Sequence, residues 1–440
     1  MSEKAAKKSL QTLKDCKLVE DVNFAELEII RGQTPDDIND RCLQLCQQYL
    51  SGIWSQQTAD TIHVRRLTGG LTNQLYHCSL KHQLSNPVVG ADDCAPREVA
   101  IRLYGSKYVN IDGTDGNERL TDIIIALLAS RSRLGPNIYG LFEGGEILAY
   151  YKHRPFHVSE QQNPRLVSQV FTKLARFHAM DVPVRRRHHW LADMFDRFYE
   201  RADTTLGINT MAKELECETF IEYDIGVEKD WIKALIARTD SPMVFTHNDF
   251  RSSNIMIVDN KDMMDGEVEG EDSDGQTVVF CDFDGSAYGY RGQDLGSIFF
   301  EWGRTWDSMK DLHQFPDDEV IAPVIDVYIR ESERIYGPKW SQLAANSAHQ
   351  MLKELKRFVL VNALFTIFTS LRCDEKLHQT LPLDPKLIMQ APTTRPMASI
   401  APDMYNYSAN HHNCPHNSQQ LSHNKNKRDN SDFRYHDVND

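Results

Sequence analysis

The chain has no excess of positive charge. Its 49 lysines and arginines face 63 aspartates and glutamates, a net charge of −14 over 440 residues. Nucleic acid and anionic membrane both select basic surfaces, so neither is an expected partner. The nine cysteines never fall at CxxC spacing, which argues against a zinc ribbon. Cys42 and Cys46 sit four apart and read as a buried helical stripe, and the odd, scattered set suits reduced thiols in the cytosol. Long apolar runs are missing too. The longest, Phe358–Phe368, is broken by Asn362 and Thr366 and is too short for a bilayer, so no stable membrane insertion is expected. The first residues, MSEKAAKKSLQTLKDCK, are charged from the third position and hold no apolar core for a secretory signal. A cytoplasmic protein is the expectation. No internal repeat is visible.

What is present is ordinary globular composition, 41% hydrophobic and 25% charged, at a length suited to two or three units. Residues 1–35 read as a weakly ordered arm. Pro35-Asp36-Asp37 opens a helix with Cys42, Leu43, Cys46, Tyr49, Leu50 and Ile53 on one stripe. His63–Leu67 and Gln74–Leu80 then flank a glycine turn, as in a hairpin. Glu98–Tyr104, Ile138–Phe142 and Ile147–Tyr151 supply three more strands, and residues 119–134 a helix stopped by Gly135-Pro136. These make a small five-stranded domain over residues 36–151. Longer helical patterns follow over 152–373, at Leu166–Met180, Lys229–Arg238, Glu319–Tyr336 and Ala345–Leu371. Two short strands, Asn254–Val258 and Thr277–Asp282, bracket an acidic hairpin insertion that lacks the ligand order of a calcium loop. Residues 374–440 read as a largely disordered tail. Its His411–His416 cluster is better taken as flexible polar chain than as a metal site.

Chemistry concentrates in His247-Asn248-Asp249-Phe250-Arg251-Ser252-Ser253-Asn254, followed by a strand. HxDxxxxN is the spacing of a phosphotransferase loop. One carboxylate, Asp249, takes or orients a hydroxyl proton, and the Asn254 amide oxygen one loop-turn later can hold Mg2+. Downstream, Asp282 ends the apolar run Val278–Cys281 and can reach the same ion. At the Gly69-Gly70 turn, backbone amides can approach phosphate oxygens. Arg102, inside the third strand, can pair with phosphates and with an acid of the next helix, Glu118 or alternatively Asp122.

With these motifs the sequence resembles the choline/ethanolamine kinases, of protein-kinase-like fold, from about Arg41 to Leu371. Leu67–Asn73 is similar to the family's nucleotide loop, Ile101–Gly105 to its third-strand arginine motif, and Leu134–Gly140 to its LGPxLYG stretch. Asp282–Trp302, DFDGSAYGYRGQDLGSIFFEW, is similar to DFEYxxYNYRGxDIGNHFxEW. The resemblance implies an α+β, two-lobed fold with a small five-stranded antiparallel lobe and a larger helical one. It implies ATP contacts from Gly69, Gly70, Leu71, Thr72, Asn73, Arg102, Glu118, the hinge residues Ala149 and Tyr151, and Arg251. Asn254 and Asp282 would be Mg2+ ligands. Glu301 and Trp306 would meet the ammonium head of choline, which needs π faces and a carboxylate because it cannot donate hydrogen bonds. The implied reaction is ATP-dependent phosphorylation of choline to phosphocholine, the first step of the CDP-choline route to phosphatidylcholine. A homodimer would suit the family, although no interface signature is seen.

The sequence departs from the pattern at several places. Asp284 and Gly285 replace the family's Glu and Tyr, and Arg251 stands where Gln or a similar residue is usual. The late Trp-x-x-Trp pair is absent; Phe365 and Phe368 keep its spacing with a one-residue slip. The closing helix has no counterpart after Cys373. Ethanolamine is therefore the alternative acceptor. A catalytically weak kinase-like binding protein is the alternative of another class.

Overall fold

The stripe of Cys42, Leu43 and Cys46 seats a helix, α1 (Ile38–Tyr49), on the first sheet of the computed structural model. That structure describes residues 33–50, 52–67, 73–81, 95–105, 119–187, 189–208, 210, 213, 224–263, 275–304 and 315–370, with only the backbone at 205, 206, 369 and 370. Residues 1–32 of the expected arm, the glycine turn and the tail beyond 370 lie outside these residues.

The sheet comprises β1 (Ile62–Leu67), β2 (Gln74–Leu80), β3 (Glu98–Leu103), β4 (Ile138–Phe142) and β5 (Gly145–Ala149), all antiparallel in the order β1-β2-β3-β5-β4. A helix, α2 (Leu120–Arg131), enters after β3. Alternation decides which side chains turn inward. Tyr76, Cys78, Val99, Ile101 and Ile147 are buried with α1 and Trp54 in one apolar cluster. The β3–β5 register sets Arg102 directly opposite Glu146, a juxtaposition that matters below.

The second lobe begins with β6 (His153–Pro155) and α3 (Pro164–His178). The Asn163 side chain accepts from the N–H groups of Arg165 and Leu166, with Pro164 at the first helical position. Such a cap is worth about 1 kcal/mol. Then come α4 (Trp190–Leu206), α5 (Ile225–Arg238), β7 (Met243–Thr246), β8 (Ile255–Asp259), β9 (Gln276–Phe280), β10 (Ala287–Tyr290), α6 (Arg291–Phe300), α7 (Asp318–Tyr336) and α8 (Ala348–Ser370). β8 and β9 pair antiparallel, so the acidic insertion is carried on a hairpin. β6 extends that sheet, and β7 pairs with β10.

Two helices escape the periodicity reading. For α4 the stripe is there, Trp190, Met194, Phe195 and Ala202, all buried. For α6 it is not, because RGQDLGSIFF is buried nearly all round and carries two glycines that disfavour an isolated helix. The glycines serve packing. A Cβ on Gly292 would lie 2.2 Å from the Phe358 ring, and one on Gly296 would lie 2.4 Å from the Phe358 backbone. Backbone contact between α6 and α8 is thus possible only with hydrogen at these positions. Inside the contact, Arg291 is buried with Glu354 at 2.5 Å and donates to Asn346 Oδ1 at 2.8 Å.

No helix among the described residues is long and apolar enough to cross a membrane. Adding one methyl group at Gly296 must separate α6 from α8. Gly296→Ala is expected to cost about 1–3 kcal/mol, read as a lower melting temperature. Unchanged melting would contradict the close approach.

Candidate active site

Asp249 follows β7 in a loop held from below. The N–H groups of His247 and Asn248 donate to the two oxygens of Asp294 on α6, at 2.6 and 2.8 Å. His178 Nε2 lies 3.0 Å from the same carboxylate, and His178 Nδ1 lies 2.8 Å from the Tyr328 hydroxyl. All of this is buried. Aromatic rings close the sides: Phe177 stacks on Phe283 at 5.7 Å and meets Phe245 at 5.3 Å, while Phe250 sits edge-on to Phe280 at 5.1 Å. A buried carboxylate that accepts backbone N–H groups has no flexible partner to lose, so it fixes the main chain of the loop.

Strained backbone collects at this point. Of the three non-glycine residues with positive φ among those described, two are Asn248 (64°) and Asp282 (64°). Such conformers cost on the order of 1 kcal/mol or more and persist where surroundings hold them. Asn248 is held by Thr246 Oγ1 and by its own donation to the Gly285 carbonyl, each at 2.8 Å.

Above the buried base, the side chains of Asp249 and Asp282 remain 43% and 44% exposed, open to reactants. Asn254 Nδ2 donates to the Asp249 carbonyl at 2.9 Å and to its carboxylate at 2.8 Å. This leaves Asn254 Oδ1 as the amide's acceptor. The Cys281 N–H donates to the Asn254 carbonyl at 3.0 Å, tying the residue before Asp282 to Asn254. Arg251 forms an ion pair with Asp249 at 3.3 Å.

Arg102 spans the cleft between the lobes. It donates to Asp282 Oδ1 at 2.8 Å, Asp284 Oδ1 at 3.0 Å and Glu146 Oε1 at 3.3 Å. Burial pushes the Glu146 carboxyl upward, against the pull of Arg102. Asp284 behaves oppositely. Burial alone would raise it, but Arg102, Arg119 and a bond from Asn73 outweigh that and hold it at about 2. Its ion pairs therefore contribute in full above the ordinary carboxylate range and are lost as pH falls toward 2. Asp122, the alternative helix acid, pairs with Arg119 at 3.0 Å. Glu118 lies outside the described residues.

Ala149 and Tyr151 join Met256, Val258 and Val279 in an apolar cluster where β5 meets the second lobe. A flat aromatic base would find apolar contact at such a surface. Glu301, one residue past α6, accepts from the Ser252 N–H at 3.2 Å. Burial raises its carboxyl pKa, with Arg251 acting the other way.

Residues 64–416 match the profile of the choline/ethanolamine kinase family. The chain belongs to that family. A Homo sapiens relative, "Choline/ethanolamine kinase", is 31% identical over 336 residues, 75% of this chain and 78% of the relative. The fold is similar to solved structures of a Cryptosporidium parvum choline kinase (TM-score 0.57, 16% identity, 84% of this chain and 97% of that one) and a Plasmodium vivax ethanolamine kinase (TM-score 0.58, 15% identity, 88% and 99%). The α+β fold read from the sequence, a five-stranded antiparallel sheet followed by a mainly helical region, is the fold of these kinases.

Within this kinase fold, Asp249, Asn254, Asp282, Arg102, Arg251 and Glu301 come together around one cleft, with Asn73 at its edge, 2.8 Å from Asp284. Gly69, Gly70, Leu71, Thr72 and Trp306 lie outside the described residues. Phe365 is half-buried on α8, whereas Phe368 is fully buried against Phe195 and Tyr199, at 5.9 and 6.1 Å. The sequence reading missed Glu146, Arg119, His178 and Asp294. Asp294 lay inside the quoted DFDGSAYGYRGQDLG stretch. Glu146 carries a usable signal, an acid bounded by Gly145 and Ile147 within a strand.

The donor set suits Mg2+. Among the described residues no group of three or more His, Cys, Asp or Glu side chains is placed to hold a metal. One carboxylate and one amide oxygen are what this ion commonly takes when water and phosphate oxygens complete its shell.

Asp294→Asn leaves one buried acceptor for two backbone donors and removes the charge facing His178. The expected loss is about 1.5–3 kcal/mol, seen as a lower melting temperature together with reduced turnover. A variant that melts and turns over like the parent would show that the loop is held by other means.

Proposed function

We propose that the protein transfers the γ-phosphoryl group of ATP to the hydroxyl of choline, yielding phosphocholine and ADP. The observation that carries this is the juxtaposition of Asp249, Asn254, Asp282 and Arg102 at the mouth of the cleft, in a member of this family. Asp249 accepts the hydroxyl proton as the substrate oxygen bonds to phosphorus and the bond from phosphorus to the ADP oxygen breaks. Asn254 holds the Asp249 carboxylate in place through its amide N–H. Asn254 Oδ1 and Asp282 would hold Mg2+, which supplies charge neutralisation at the phosphates. Arg102 and Arg251 add positive charge beside Asp282 and Asp249, where the phosphates of ATP would lie. Ala149, Tyr151 and Asn73 would face the nucleotide, with the loop over Gly69–Thr72.

Glu301 is the carboxylate for the cationic head, with Trp306 and Phe365 as apolar partners. A second reading, ethanolamine, is supported by two observations. Gly285 offers no ring where the family has tyrosine, and Phe368 is committed to the core. A primary ammonium can donate hydrogen bonds to Glu301 and relies less on π faces. ADP release with Mg·ATP and each of choline, ethanolamine and their methylated intermediates separates the readings. Choline is expected to give the highest kcat/KM. A higher value with ethanolamine would transfer the assignment, and no release above background with any of them would favour a binding protein.

Asp249→Asn should lower kcat by about 10²–10⁴-fold while ATP binding persists. Near-normal kcat would remove Asp249 from the chemistry. Asp282→Ala should instead shift the Mg2+ requirement upward, with partial recovery at high Mg2+ or Mn2+. An unaltered Mg2+ titration accompanied by a lower melting temperature would make Asp282 a structural residue.

A further inference from the structure

Arg119 sits at the N-cap of α2, where the helix dipole disfavours a cation, and its side chain caps no helical N–H. It is nevertheless only 8% exposed, and both of its terminal nitrogens are engaged, with Asp122 one turn on and with distant chain. Nη1 donates to Asp122 Oδ2 and to Asp284 Oδ2, both at 3.0 Å. Nη2 donates to Asn73 Oδ1 at 3.4 Å and to the Gly105 carbonyl. The guanidinium carbon lies 5.0 Å from the centroid of the Tyr104 ring. Four segments thus converge on one side chain: α2, the end of β3, the start of β2 and the loop after β9.

The charges alternate along a file, Asp122, Arg119, Asp284, Arg102, Asp282, with Glu146 branching from Arg102. Asp284 divides its oxygens: Oδ1 takes Arg102, and Oδ2 takes Arg119 and Asn73. With Arg119 in place, Arg102 Nη2 shares itself between Asp284 and Asp282, while Nη1 meets Glu146. Without it, only the neutral Asn73 amide holds Oδ2 against Arg102, and the full charge of Asp284 is left to draw Arg102 from Asp282.

We propose that Arg119 is a positioning residue, which sets the Asp282 carboxylate for the metal–nucleotide complex by holding Asp284 from the far side. The inference rests on the reading of Asp282 as a Mg2+ ligand and requires nothing of the acceptor alcohol. Outer partners of this kind typically contribute 10- to 100-fold in metal affinity.

The test is calorimetric ATP binding as a function of free Mg2+, with no alcohol present, on the full chain. Arg119→Gln is expected to raise the Mg2+ needed for half-maximal tightening about 10- to 100-fold. ATP binding without metal should change far less. Asp284→Asn should give a similar shift, and the double variant no more than the larger single one. Arg119→Lys keeps the charge but loses the fork, so an intermediate shift is expected; it decides the matter if the glutamine variant does not fold. A parent-like Mg2+ dependence in the Arg119 variants, or shifts that multiply in the double variant, would overturn the proposal. A parent protein whose ATP binding ignores Mg2+ would overturn the metal reading and this inference together.

Discussion

The Asp294 carboxylate is the constraint on which the cleft depends. It accepts two successive backbone N–H groups from the loop that carries Asp249, so the main chain there cannot shift without uncovering a buried charge. The carboxylate is itself placed by α6, and α6 by its contact with α8. Gly292 and Gly296 permit the approach, and the Arg291–Glu354 pair fixes the register. Glu301, just beyond the same helix, is positioned by the same contact. One short helix thereby sets both the group assigned to the hydroxyl proton and the group assigned to the cationic head.

Across the cleft, electrostatics replaces packing. Arg102 faces Glu146 on its own sheet and Asp282 and Asp284 on the other lobe. Arg251 and Asp249 form a second pair of opposite charge on the loop. Such a site can exchange internal ion pairs for contacts with phosphate and metal, at a smaller desolvation cost than unpaired charges would carry. Gly285 carries no ring, and Phe368 is packed in the core against Phe195.

The parts legible in the sequence were those whose chemistry dictates a spacing. HxDxxxxN and the Asp ending an apolar strand located Asp249, Asn254 and Asp282, because a loop and a hairpin have few ways to bring these groups together. The five strands were legible from alternation. Glu146 was not, since its partnership with Arg102 follows from β3–β5 register, which alternation alone does not specify. Nor was α6, whose glycines speak against a helix until Phe358 is seen beside them. Arg119 drew no notice in the sequence because its partners Asn73 and Asp284 lie far along the chain.

The central claim, phosphoryl transfer from ATP to an alcohol at Asp249, is tested most directly by following phosphorus. In ³¹P NMR of the protein with Mg·ATP and choline, a phosphomonoester resonance should grow in step with ADP. Asp249→Asn under the same conditions should leave ATP nearly unchanged. Persistence of ATP with the parent protein, release of inorganic phosphate alone, or equal phosphoester formation by the variant would contradict the account.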